Sequence, residues 1–440
     1  MDIGIISLLI GVGLIALLVV GVPFAFAAGV IATIVAYANF GLGGFSLLAA
    51  RTYDLLNGYT LVAVPMFVLM ASILERSSMA KELFDAFRVW AGATPGGLAV
   101  VTTVVSVILA ATTGIIGGEI VLLGLLALPQ MLRLGYDQRL AIGTICAGGS
   151  LGTMMPPSII LIFYGLTANV SISHLFAASF IPALLLALIY IIYILIRCRI
   201  NPALGPPAPP EERNLSFTQK ISLLKGVALP LIIATCVLGS IYLGIASVTE
   251  SAAVGAAGMA LAAAVRGELT WDMIYQSCKQ TMLTCGIVLW LVFGTNSLVG
   301  IYNAIGGIQF LQSQFIALEF GAVGSLAVIV AVFLVLGAFI DWIGIMFLTV
   351  PVFLPIITKL GYDPLWFGIV FNVCMQIAYL SPPFGPAAFY LKGVAPKHIT
   401  IEQIFSALWP FMVLQCIGLA LIMFFPEIAL WLPRLIYGGL

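Results

Sequence analysis

Long apolar runs recur along this chain, separated by short clusters of Gly, Pro, Asn and charge. In the first half they fall near 4–21, 24–40 and 59–75. A stretch with helical amphipathic spacing follows, "RSSMAKELFDAFRVWAG" at 76–92. The next apolar run, 97–133, is about twice a span in length and is interrupted at "ATTGIIGGE" (111–119). Then come 140–168, with adjacent prolines at 156 and 157, and 175–196. Runs of this kind predict helices long enough to cross a bilayer. The second half gives 228–246, 249–265, 283–300 and an intervening 302–320. It continues with 323–359, interrupted near "GAFIDWIG", then 364–394 and 402–425.

The two series match element by element, because the chain repeats itself at an offset of 226. "LPQMLRLGYD" (128–137) recurs as "LPIITKLGYD" (354–363), and Pro156–Pro157 fall on Pro382–Pro383. Phe163 and Tyr164 fall on Phe389 and Tyr390, and ten of the 37 positions in 128–164 are identical without a gap. L-G-Y-D and P-P are not the matches that apolar low complexity produces. The expected organisation is therefore a first repeat over 1–200, a cytoplasmic linker over 201–226, and a second repeat over 227–440. The linker region, "RCRINPALGPPAPPEERNLSFTQKISLLKG", is the one long polar stretch, and its prolines predict an extended segment outside the bilayer.

Composition supports a membrane protein. The chain is 62% hydrophobic and 8% charged, with a mean hydropathy of +1.20, whereas about a quarter of a soluble domain is charged. Net charge is 0, which offers no polybasic surface for nucleic acid. The seven cysteines form no C-x-x-C pair, and the two histidines, His174 and His398, are far apart and expected in solvated loops. No nucleophile-elbow, zinc-protease or P-loop pattern is present, so no enzyme is expected. The N-terminus lacks a positive n-region and is expected to be a first span rather than a signal peptide.

Positive residues favour the cytoplasmic side of short loops. Arg133 and Arg139 place the first L-G-Y-D loop inside, and Arg197, Arg199, Arg213, Lys220 and Lys225 place the linker inside. The second L-G-Y-D loop then lies outside, with Lys392 and Lys397 inside. Arg51 and Arg434 fall on the opposite side to this rule. Five crossings per repeat invert the second copy and put both termini in the periplasm. On this parse 97–133 and 323–359 are re-entrant hairpins; two more full spans in each copy is the alternative. Irregular backbone at membrane depth is tolerated only inside protein or beside a polar cavity. Inverted repeats with paired broken helices are an architecture of secondary transporters, in which freed carbonyls and half-helix N-termini meet cations and anionic substrates. The fold class expected is an all-α polytopic membrane protein of two inverted repeats, with re-entrant hairpins and Pro-broken helices.

"LGTMMPPSIILIFYG" (151–165), "VTESAAVGA" (248–256), "LTVPVFLPIITKLGYDPLWFG" (348–368) and "LSPPFGPAAFY" (380–390) resemble the large permease subunit of tripartite ATP-independent periplasmic (TRAP) transporters. The likeness covers essentially the whole chain. It implies an elevator mechanism, Na⁺ as coupling ion with no other cofactor, and a bacterial inner-membrane location. It also implies a small four-helix membrane subunit and a periplasmic substrate-binding protein. The chain shows no additional four-span block, so the small subunit is expected as a separate polypeptide. The cargo implied is a small organic acid, a carboxylate or sulfonate. Two departures bear on the cargo: "SPPFGPAAFYLKG" stands where many members carry a form like "TPPVGLN", and Glu119 follows the first hairpin tip.

The repeat assigns the candidate sites. For Na⁺ they are Ala111, Thr112, Thr113, Gly114, Met155 and Ser158, with Gly337, Ile340, Ser381 and Phe384 as second-copy counterparts. For substrate they are Gly149, Ser150, Pro156, Pro157, Asp341, Asn372, Gln376, Pro382, Pro383 and Gly385. Glu119 is a further polar candidate, since ionisable residues among apolar spans default to function. Glu250, which opens a span, is expected to serve a helix cap. Rival readings are a symporter or antiporter that needs no binding protein, a membrane enzyme, and a channel.

Overall fold

The computed structural model describes residues 2–92, 94–114, 117–207 and 223–438. Among them lie twenty α-helices. The first series is α1 (Ile3–Val19), α2 (Phe24–Phe40), α3 (Gly43–Leu56), α4 (Ala63–Arg76), α5 (Ser78–Arg88), α6 (Gly97–Thr113), α7 (Gly118–Arg133), α8 (Gln138–Ser150), α9 (Ile159–Ala168) and α10 (Ile172–Ile200). The second is α11 (Ala228–Tyr242), α12 (Val248–Val265), α13 (Trp271–Ala304), α14 (Gly307–Ala317), α15 (Gly321–Gly337), α16 (Trp342–Lys359), α17 (Pro364–Leu380), α18 (Pro386–Val394), α19 (Ile401–Phe424) and α20 (Glu427–Tyr437). Six helical segments, Tyr59–Arg76, Ile172–Ile200, Val248–Val265, Trp271–Ala304, Trp342–Lys359 and Ile401–Phe424, are long and apolar enough to cross a membrane. Most of the expected linker, including Arg213 and Lys220, lies outside the described residues, as do two residues of the first hairpin tip, 115 and 116.

The repeated L-G-Y-D is a helix stop followed by a helix start. Gly135 and Gly361 adopt φ of 80° and 86°, which end α7 and α16 at a conformation costly for other residues. The following aspartates cap the next helices: Leu140 N–H donates to Asp137 at 2.9 Å, and Leu365 N–H donates to Asp363 at 2.7 Å. The same four residues thus turn each hairpin into its broken helix. Ser247 and Glu250 cap α12 reciprocally, and Thr400 and Gln403 do the same for α19.

The two hairpins enter from opposite ends of α10. That helix has 29 residues, about 43 Å at 1.5 Å per residue. The base of the α6–α7 hairpin is tied to the segment after its C-terminus: Gly96 N–H donates to Gly205 O and Asp137 N–H to Leu204 O, at 2.8 and 2.9 Å. The base of the α15–α16 hairpin lies at the other end, where Thr358, Gly361 and Tyr362 share a surface pocket with Asn169 and His174. Both tips point to the middle. Between them α8–α9 and α17–α18 are broken, at 154–158 and 381–385, with cis bonds at Pro156–Pro157 and Pro382–Pro383.

The main core surrounds these pieces. Phe333 and Phe371 meet edge-on at 5.1 Å, Tyr164 stacks on Phe371, and Phe163 packs on Trp342 at the second tip. By contrast Leu8, Val12, Ile15 and Val19 of α1 are exposed, as apolar side chains are where the surrounding solvent is hydrocarbon.

Three features depart from the expectations above. Residues 43–56 are helical, and α3 with α4 corresponds to the single 34-residue α13. The first copy is interrupted at Asn57–Gly58, where the second runs on. A final helix, α20, packs along α10. His174 is not in a loop: it lies in the first turn of α10, beside a surface pocket, with its ring stacked on Tyr437 at 4.3 Å.

Candidate functional site

The tips and breaks enclose a cavity of about 610 Å³. Its wall includes Gly114, Gly117 and Gly118 of the first hairpin, and Thr153, Ser158 and Ile159 of the first break. It also includes Asp341 and Trp342 of the second tip, and Phe384 and Pro386 of the second break. The starts of α7, α9, α16 and α18 therefore all face one space. Helix N-termini present unsatisfied N–H groups and a positive dipole end, so this space suits an anion.

Close contacts lock the tips onto the breaks. A Cβ on Gly114 would lie 2.2 Å from Pro157 O, so only glycine lets the backbones meet there. On the other side Phe384 N–H donates to Ala338 O at 3.3 Å. Gly337 would meet Ala378 Cβ at 2.3 Å.

The two broken helices brace each other through amides. Gln376 Nε2 donates to Ser150 O at 2.9 Å, and Asn372 Nδ2 donates to Thr153 O at 3.1 Å. Residues 150 and 376 differ by the repeat offset, so the pseudo-twofold axis passes between them. Ser150 also accepts from Gln415 Nε2 of α19 at 3.1 Å. The Thr153 hydroxyl donates to Ser150 O, and the Ser158 hydroxyl to Thr153 O. The carbonyls of 150 and 153 thus each accept two hydrogen bonds. The side-chain oxygens Asn372 Oδ1 and Gln376 Oε1 are buried without a partner. Glu119 is buried too: Thr113 donates its hydroxyl to one oxygen, the other has no partner, and the carboxylate abuts Gly152.

The structure distributes the sequence candidates unevenly. Gly114, Ser158, Asp341 and Phe384 line the cavity, and Gly337 and Ile340 line a narrow cleft beside it. Asp341 caps α16, accepting from Ile343 N–H at 2.9 Å. Thr112 donates its hydroxyl back to Leu109 O within α6, the Thr113 hydroxyl is shared between Leu109 O and Glu119, and Ser381 donates to Ile377 O. Ala111 ends α6 among partly buried core contacts, and Met155 is buried in the break. Gly149 packs on Ile120 away from the cavity wall, and Ser150, Asn372 and Gln376 form the brace. Pro156, Pro157, Pro382, Pro383 and Gly385 shape the breaks. Sequence reading missed Ser72 and Glu75 of α4, Gln280 and Thr284 of α13, and the paired rings Tyr379 and Tyr390. Tyr390 carried a signal, since it repeats Tyr164; the α4 and α13 residues carried none.

The comparisons with known proteins agree with this architecture. A family model described as "Tripartite ATP-independent periplasmic transporter, DctM component" matches residues 11–428. The C4-dicarboxylate TRAP transporter large permease protein DctM of Vibrio cholerae is 26% identical over 446 residues, covering 96% of each chain. The ectoine TRAP transporter large permease protein TeaC of Halomonas elongata is 30% identical over 398 residues, covering 90% of this chain and 91% of its own. Among solved structures, the YdaH transporter of Alcanivorax borkumensis superposes with a TM-score of 0.60 at 16% identity, covering 89% of each chain.

Proposed function

Since the chain belongs to the family of DctM components of tripartite ATP-independent periplasmic transporters, we propose that it carries a small organic acid inward across the bacterial inner membrane. Na⁺ is the coupling ion, a periplasmic binding protein delivers the cargo, and a separate small membrane subunit completes the permease. The repeats are 1–200 and 227–440, with the 201–226 linker in the cytoplasm and both termini in the periplasm. The observation that carries this reading is the single cavity faced by four helix starts. A carboxylate seated there gains N–H donors without needing a dense cluster of cationic side chains. The relatives named for C4-dicarboxylate and ectoine are in keeping with a small carboxylate cargo.

The oxygens around the first break fit a hard cation. Asn372 Oδ1, Gln376 Oε1 and one oxygen of Glu119 are buried acceptors without donors, and Na⁺, like other hard ions, is held by oxygen. In the second copy the backbone at Gly337, Ile340, Ser381 and Phe384 is the counterpart. The hairpins, breaks and α10 move as one body against the remaining helices, carrying cargo and ion together.

The test is uptake in proteoliposomes holding this chain, its small subunit and its binding protein. Uptake is expected to need both an inward Na⁺ gradient and the binding protein. Equal uptake with choline in place of Na⁺ would remove the coupling ion. Full uptake by the chain alone would favour a symporter that needs no binding protein.

A further inference from the structure

One end of the cavity is chemically unlike the rest. On α4, Ser72 and Glu75 lie one helical turn apart, and both line the cavity. Ser72 is 1% exposed. Its hydroxyl and one carboxylate oxygen of Glu75 are buried and have no hydrogen-bond partner. The Glu75 carboxylate presses on Gly118, where a Cβ would lie 1.8 Å away. The neighbouring Gly117 presses on the Tyr390 ring, where a Cβ would lie 2.8 Å from the ring. Two successive glycines at the start of α7 thus bring a carboxylate and an aromatic ring to the same turn. Glu119, the next residue, feels the charge of Glu75 and carries its own unpartnered oxygen.

Two other charged side chains line the wall. Asp341 is engaged as the cap of α16. Arg76, beside Glu75, is the one cationic side chain among the described lining residues, and it is exposed. α9 and α18 also begin on the wall; Ser158 caps α9, while α18 opens with Pro386 and has no side-chain cap. The wall therefore carries both helix starts, which accept an anion, and an unpartnered carboxylate and hydroxyl, which accept a cation. An ammonium or amidinium group satisfies the carboxylate and hydroxyl: it donates to Glu75 and Ser72. A dicarboxylate would place its second negative charge against Glu75, and like charges brought together out of water repel.

We propose that Glu75 sets the cargo class: a small carboxylate that also bears a cationic nitrogen. This rests on the uptake reading, and narrows it from organic acids at large to zwitterions. Glu75 and Ser72 hold the cationic group, and the helix starts on the wall face the carboxylate.

The test uses the purified permease, this chain with its small subunit, in Na⁺ buffer. Thermal unfolding is followed with 4-aminobutyrate, glycine betaine, succinate and butyrate at equal concentration. The zwitterions are expected to raise Tm, while succinate and butyrate do not. The shift is expected to vanish in E75Q and G118A and to return in part in E75D, with unliganded Tm values showing that each variant folds. A shift with succinate alone, an undiminished zwitterion shift in E75Q, or no shift with either zwitterion overturns the proposal. A succinate-only shift would leave the uptake reading standing. Absence of Na⁺-dependent uptake by the complete system, measured separately, would instead strike that reading.

Discussion

The two hairpin tips occupy equivalent places in the repeat and are filled by different chemistry. The first turns through Gly114 and Gly117, and its acid, Glu119, is drawn inward to Thr113 and Gly152. The second turns through Ala338–Asp341, and its acid caps the departing helix at the cavity wall. Neither acid has an acidic counterpart: Glu119 falls on Ile345, and Asp341 on Ile115. The backbone plan is thus duplicated while the charges are not. Symmetry builds a central cavity with opposed walls, and the side chains on those walls are not symmetric.

That contrast can be broken at the contacts each tip makes. The largest effect is expected at Gly114→Val, where both the 2.2 Å approach to Pro157 O and a φ of 57° forbid a side chain. Uptake should fall at least about tenfold, ~1.4 kcal/mol in the transported state. Gly337→Val, which meets the Cβ of Ala378 but has no positive φ to strain it, should lower uptake less. Equal losses would show that the tips are interchangeable.

The paired breaks come next. Replacing Pro156–Pro157 or Pro382–Pro383 with Ala-Ala restores backbone donors and helix propensity. If the open carbonyls serve Na⁺, the half-saturating Na⁺ concentration rises about tenfold with normal membrane insertion. An unchanged Na⁺ dependence in both variants would confine the ion to side-chain oxygens.

Glu119→Ala removes a charged hydrogen-bond partner from the Thr113 hydroxyl, which keeps Leu109 O, a loss of about 1.5–3 kcal/mol. Asp341→Ala removes a helix cap, about 1 kcal/mol. Melting of the purified complex should rank the two in that order. The reverse order would make the second tip the more tightly held. Asp137→Ala and Asp363→Ala, which remove equivalent caps, should cost similar amounts, about 1 kcal/mol each.

The smallest effect is expected outside the spans, where the second copy meets the amphipathic arm of the first. Arg266 pairs with Glu82 of α5 and, at 3.1 Å, with Glu268. Glu268 also accepts from Ser78 N–H at 2.9 Å and from the Ser78 hydroxyl. Burial pushes the Glu268 carboxyl up, but the bonds from Ser78 and Arg266 outweigh it and hold it below its ordinary value. A lowered carboxyl contributes stability above its unfolded range and loses it as pH falls through the folded value. Hydrogen exchange in α5 should therefore stay slow at neutral pH and quicken only under acid conditions below the usual carboxylate range. Arg266→Ala should quicken it at pH 7 by less than about 1 kcal/mol.

Much of the fold was legible because hydrocarbon leaves few choices. Apolar run lengths mark the spans, and a repeated L-G-Y-D marks each hairpin's end, since its glycine and aspartate act through local backbone chemistry. The offset of 226 carried the inverted plan, the hairpins and the paired breaks. Asp341 stood out as an acid in an apolar run, and it does line the cavity. The α3 helix escaped because its polar and small residues resemble a loop, and His174 was misplaced because Tyr437, its stacking partner, is 263 positions away.

Sequence alone determined the class, the repeat and the positions at which helices must break, because each is fixed by neighbours along the chain. Tertiary structure decided which polar groups share a space. Gln376 reaches Ser150 across 226 residues, Glu75 reaches Gly118 from another helix, and Asn372 turns to a brace with one oxygen left free. Those encounters depend on how close two backbones come, which glycine permits and only the packed molecule sets.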